Sequence, residues 1–164
     1  MRNLYMLAIV VFAITASAAA PPQDGLVQAI SDAAAYRSRI EAIALRAKAE
    51  YDPSGQQYQN ARTLYNNVWQ QNSMFVESML KVLGGQPPDE DLCDDAAAVT
   101  IMTNDYVTQM GQQRGFADRT VAVIVPPFVR LLVAILSSLH HKSLVASVQS
   151  TLAKQLTWTP WEEL

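Results

Sequence analysis

The chain holds a single cysteine, Cys93, so no disulfide within it can staple the fold. It has two histidines, adjacent at His140 and His141, and the haem-attachment pattern Cys-x-x-Cys-His does not occur. A basic excess is missing too. Twelve Lys and Arg stand against fifteen Asp and Glu, a net charge of −3, which argues against a nucleic-acid binder with its usual basic face. Glycine is scarce, six residues, and there is no glycine-rich phosphate loop, nucleophile elbow or metalloprotease helix. No Cys/His or Ser/His arrangement marks a nucleophile and its base, so the expectation is a non-enzymatic protein. No internal repeat, low-complexity tract or domain boundary breaks the chain.

What is present begins with an N-terminal leader. Arg2 supplies a charged start, Leu4 to Ile14 a short apolar core, and Ala16-Ser17-Ala18 a small-residue cleavage site. Residues 1–18 therefore read as a signal peptide, its apolar run being short for a membrane span of about 20 residues. Residues 24–164 read as one domain, long enough to bury a core without staples. An exported domain without disulfides points to a periplasmic or secreted location.

The apolar spacing predicts an all-α, antiparallel four-helix bundle of long helices. After a flexible Pro21-Pro22-Gln23 lead-in, Asp24 is placed to cap a first helix over 25–51, with Leu26, Ile30, Ala33, Ile40, Ile43, Ala44, Ala47 and Tyr51 as its stripe. Arg37 falls on the edge of that stripe, with its stem packed and its charge in water. A second helix covers 54–83, opened either by Asp52-Pro53 as cap and first position or by Ser54 and Gln57 as a capping box. Its outer face is rich in amides: Gln56, Gln57, Gln59, Asn60, Asn66, Asn67, Gln70 and Gln71. Gly84-Gly85 ends it. Asp89, Glu90 and Asp91 open a third helix, where acids suit the helix dipole, and Leu92, Ala96, Val99, Met102 or Thr103, Tyr106 and Met110 form its stripe. The link 111–120 has no clear pattern. Pro126-Pro127 then starts a fourth helix that runs unbroken to Leu156, apolar nearly all round to Leu139, and so the piece the other helices enclose.

The remaining clusters point to packing before chemistry. Adjacent histidines on a helix diverge by about 100° and do not chelate one ion together. The acids Asp89, Glu90, Asp91, Asp94 and Asp95 lack the spacing of a calcium loop and read as a solvated helix start. Beside them the Cys93 thiol feels opposing effects of helix dipole and carboxylates. Met79, Met102 and Met110 belong to core stripes, and with Met74 do not make a copper site. No cofactor is expected.

The function expected is therefore binding of a protein partner in the cell envelope. Its candidate residues are Asn60 and Asn67 on the amide face and Trp158 and Trp161 in the aromatic tail. The tail has two fates: docking on the bundle's end, expected for at least one Trp, or exposure as an anchor rimmed by Glu162 and Glu163. A second reading inserts residues 121–139 into a membrane, although Arg130 inside that span opposes it. A haem or metal carrier is a third.

Overall fold

Residues 22–112 and 127–164 are described by a computed structural model, and among them are five α-helices, a closing 3-10 turn and no strand. The leader, the link from 113 to 126 and the Val121–Val125 run lie outside the described residues. α1 spans Pro22–Glu50, α2 Gln56–Leu83, α3 Glu90–Gln112, α4 Pro127–Ser138 and α5 Lys142–Leu156, and the 3-10 turn is Trp161–Glu163.

α1 starts earlier than its spacing suggests. Pro22 and Gln23 belong to it, and Asp24 sits in its first turn instead of preceding it. A proline suits that position because its missing N–H has no helical partner there. The eight stripe residues from Leu26 to Tyr51 are all buried. At about 1.5 Å per residue the helix is some 43 Å long.

Neither expected cap opens α2. Asp52 turns on itself: its Oδ1 accepts the Ser54 N–H at 2.9 Å and the Ser54 hydroxyl at 2.8 Å. That local turn uses up the carboxylate, and the helix starts after Gly55, which has extended backbone and no side-chain cap. At the other end Gly85 takes φ 99°, and the Gln86 N–H reaches back to the Lys81 carbonyl at 3.1 Å. This is the left-handed glycine stop that a Cβ would strain.

α3 is capped as its acids imply, with Asp89 accepting the Leu92 N–H at 3.2 Å. Its stripe is buried at Leu92, Ala96, Val99, Tyr106 and Met110. Of the two candidates between, Thr103 is buried and bonds the Val99 carbonyl, whereas Met102 is exposed. Asp95 departs from the solvated cluster: it is buried and accepts from Gln71 at 3.2 Å and Ser78 at 2.7 Å on α2. Asp95 facing Gln71 and Ser78, and Tyr106 facing Tyr65, set α2 and α3 antiparallel.

The expected single helix from Phe128 to Leu156 is two. Ser137 and Ser138 each bond the carbonyl four residues back, at the last turn of α4. The chain turns at Leu139–His140, with the His141 N–H on the Ser138 carbonyl, and α5 begins one residue later. α4 is the most enclosed element, with seven of its twelve residues buried. Leu132 and Ile135 lie in the central core, where each contributes about 1.5–3 kcal/mol by leaving water. α4 packs along α1, Tyr36 against Phe128 and Asp32 near Arg130, and α5 rests on both α1 and α2. Of the α5 stripe that the spacing marks, Leu144, Val145, Val148, Leu152 and Leu156, the last four are buried and Leu144 is half-buried at its edge.

Candidate functional site

The last described residues, Thr157–Leu164, lie in a cleft between α1 and α2, and both helices supply side chains to hold them. From α1, Arg37 Nη1 donates to the Thr157 carbonyl at 2.8 Å. Lys48 Nζ donates to the carbonyls of Trp161, Glu162 and Leu164 at 2.9, 3.2 and 2.7 Å. Glu41 accepts the Thr159 N–H at 2.8 Å. From α2, Asn72 Nδ2 donates to the Leu156 carbonyl at 3.0 Å, Trp69 Nε1 to that of Trp158 at 3.1 Å, and the Tyr65 hydroxyl to that of Thr159 at 2.7 Å. Arg62 closes the outer side on Glu162 at 2.6 Å.

The two indoles fill the cleft floor. Trp158 is 2% exposed and packs against Tyr65 and Phe128; Trp161 is 1% exposed and packs against Tyr58 and Tyr65. Trp161 Nε1 donates to the Tyr58 hydroxyl at 3.2 Å. Docking thus holds for both tryptophans, and neither presents an exposed anchor. Proline explains the path: Pro160 keeps Thr159 from continuing α5 as a helix, so its backbone groups meet side chains instead. Burial pushes the Tyr65 phenol well above its ordinary range, with the Glu41 carboxylate adding to the effect, so the hydroxyl stays a proton donor.

Comparison with family models, curated proteins and solved structures finds no match to this chain.

The other two candidates lie on the outside of α2. Asn60 and Asn67 are both exposed, and Asn60 accepts from Gln56 at 2.7 Å. They belong to a stripe at helical spacing, Gln56, Asn60, Thr63, Asn67, Gln70 and Met74, every member exposed and none charged. The Glu77–Lys81 ion pair ends it at 2.9 Å. Over those nineteen positions it is about 27 Å long. The structure therefore separates the four predicted residues into an outer amide pair and an inner indole pair.

Several side chains that hold the tail are not marked as such by the sequence. Arg37 is one: it spans to the tail instead of reaching into water. Asn72, 1% exposed, has a readable signal, since an amide occupies an apolar-stripe position between Val68 and Phe75. Lys48, Tyr65 and Trp69 carry no comparable signal, because their partners lie more than eighty residues away in sequence.

The histidines are exposed at the α4–α5 turn, ring centroids 3.9 Å apart, and neither faces inward. Cys93 is half-buried, and burial followed by the Asp94 and Asp89 charges raises its thiol pKa, so the opposing influences resolve against a reactive thiolate. Met79 and Met110 are core residues, while Met74 is exposed. Among the described residues no three His, Cys, Asp or Glu side chains gather to hold a metal ion. An open cleft of about 400 Å³ lies between the end of α2 and α5, lined by Val82, Leu83, Leu139 and Val145 with Lys142 as its charged member.

Proposed function

We propose that this chain is an exported, non-enzymatic helical protein that binds a protein partner in the cell envelope through the outer stripe of α2. The observation that carries the reading is the uncharged stripe of Gln56, Asn60, Thr63, Asn67, Gln70 and Met74 along one face of α2, on an otherwise charge-bearing surface. Interface centres are depleted of charge and enriched in methionine, while lone solvated faces have no need to avoid Lys and Glu. The export half rests on the leader, with cleavage after Ala18 and a periplasmic or secreted mature form. With α4 and α5 taken as one broken limb, the helices form a four-limbed bundle closed by the tail.

Burial of α4 supports this reading over membrane insertion of residues 121–139. From Phe128 onward that segment's apolar side chains already face protein, and among the described residues no helix is long and apolar enough to cross a membrane.

The test is a pair of lysines. In cells of the source type, a photo-crosslinker at Thr63 is expected to trap a defined partner, and Asn60→Lys with Asn67→Lys to abolish that product without shifting Tm. Crosslinks that survive both lysines would move the partner surface elsewhere. N-terminal sequencing of the mature protein is expected to begin at Ala19, and a mature form starting at Met1 would reject export by this leader.

A further inference from the structure

The tail is held as a peptide ligand is held. Thr157 lies at φ −70°, ψ 123° and Pro160 at φ −63°, ψ 154°, close to the polyproline-II conformation. Such a stretch makes no hydrogen bonds within itself, so the carbonyls of Thr157, Trp158 and Thr159 are free for another surface to read. The segment then closes in the 3-10 turn, whose Glu163 and Leu164 N–H groups return to the Pro160 carbonyl. Here four side chains read the segment's carbonyls, Arg37 and Lys48 of α1 and Tyr65 and Trp69 of α2, while Asn72 holds the last carbonyl of α5 just before it. Indole, phenol and amide donors combined with aromatic-lined pockets are the usual means of binding an extended proline-containing peptide. The carbonyl contacts select the extended shape, and the pockets for Trp158 and Trp161 select the sequence.

We infer that the cleft between α1 and α2 is a peptide-binding groove for an extended Trp-x-Pro-Trp segment, filled in this chain by its own residues 157–164, and that the same segment of a second copy is the partner it fits. The occupant is the argument. A second copy carries the one sequence already fitted to these side chains and both pockets, so exchange requires no new contact. The segment leaves α5 directly at Thr157, and drawn out its eight residues reach about 25 Å, enough to cross to a facing molecule. What keeps the tail on its own groove is local concentration, which a free tail in trans overcomes when the groove is empty or the protein is concentrated. This inference is independent of the α2 outer stripe: Asn60→Lys with Asn67→Lys leaves it untouched.

Two full-length variants test it. Trp158→Ala with Trp161→Ala empties the groove and keeps its donors. Arg37→Met with Lys48→Met weakens the groove and keeps the tail. The first variant is expected to bind a fluorescent synthetic peptide of residues 157–164, with affinity at least tenfold weaker for a peptide carrying both Trp→Ala changes. Mixed together, the two variants are expected to give a species of twice the chain mass by analytical ultracentrifugation, while each alone stays at one. Should the first variant fail to fold, recovery of its helical circular dichroism by the peptide and by the second variant is the same result. Peptide binding without a mixed pair would reject the second copy as partner. Absence of peptide binding, or an unfolded variant that neither addition restores, would overturn the groove itself.

Discussion

Asn72 is where a single side chain most clearly exchanges one duty for another. It occupies a core position on α2 at 1% exposure, and its amide donates to the carbonyl that ends α5. Asn72→Ala removes that donor and leaves a buried carbonyl without it, which is expected to cost about 1–3 kcal/mol in denaturant unfolding. Asn67→Ala, on the solvent side of the same helix, is expected to stay within about 0.5 kcal/mol of the parent. The contrast shows what a sequence exposes at this scale. Period alone places Asn72 inside and Asn67 outside. It does not reveal what Asn72 holds, because the partner is 84 residues away and is a backbone oxygen of no particular residue type. The same holds for Lys48, whose three carbonyl contacts leave no trace in composition or spacing.

Helices announce themselves by apolar period, and their interruptions are quieter. The stripes of α1 and α3 are legible almost residue by residue, since burial repeats every three or four positions. The break between α4 and α5 is not. It contains no proline or glycine, only two serines that turn their hydroxyls on their own helix, and the following stripe stays near enough in phase to look continuous. His140→Ala with His141→Ala, at the exposed turn, is expected to leave stability within about 0.5 kcal/mol. Leu132→Ala or Ile135→Ala, one helix face away in the core, is expected to cost about 2–5 kcal/mol from lost transfer and the cavity left behind. Equilibrium unfolding of the variants separates a tolerant turn from an enclosed helix. A loss below about 1 kcal/mol at Leu132 would mean that α4 is far less enclosed than its burial implies.

At the scale of the whole molecule, an aromatic cluster couples the fold to alkaline pH. Burial raises the phenols of Tyr65 and Tyr106, and that of Tyr36 to about 12. A phenol whose pKa is higher folded than unfolded contributes stability in full below about pH 10, the unfolded value. As pH climbs past that point the unfolded chain loses protons that the folded chain keeps, and stability falls. Tm is expected to hold level from pH 7 to about 9 and then to decline, with phenolate absorbance from these residues rising together with loss of helical signal. Phenolate at Tyr65 and Tyr106, assigned by Tyr→Phe variants, appearing in a fully helical protein would place these rings in water.

The clasp on residues 157–164 also sets the order in which the molecule can be completed. Arg62 and Glu162 are 100 residues apart and Arg37 and Thr157 are 120, yet each pair meets at the same cleft. Helical proteins normally fold quickly because their contacts are local. Here α1 and α2 can each wind early from local period, but the cleft between them stays open, its pockets wet, until a segment from far downstream arrives. The entropy of closing so long a loop is met only by contacts made at the moment of arrival. Refolding is therefore expected to show a fast winding of helices and a slower sealing step, read by stopped-flow circular dichroism beside tryptophan fluorescence; the two signals rising together would mean that helices and clasp form at once.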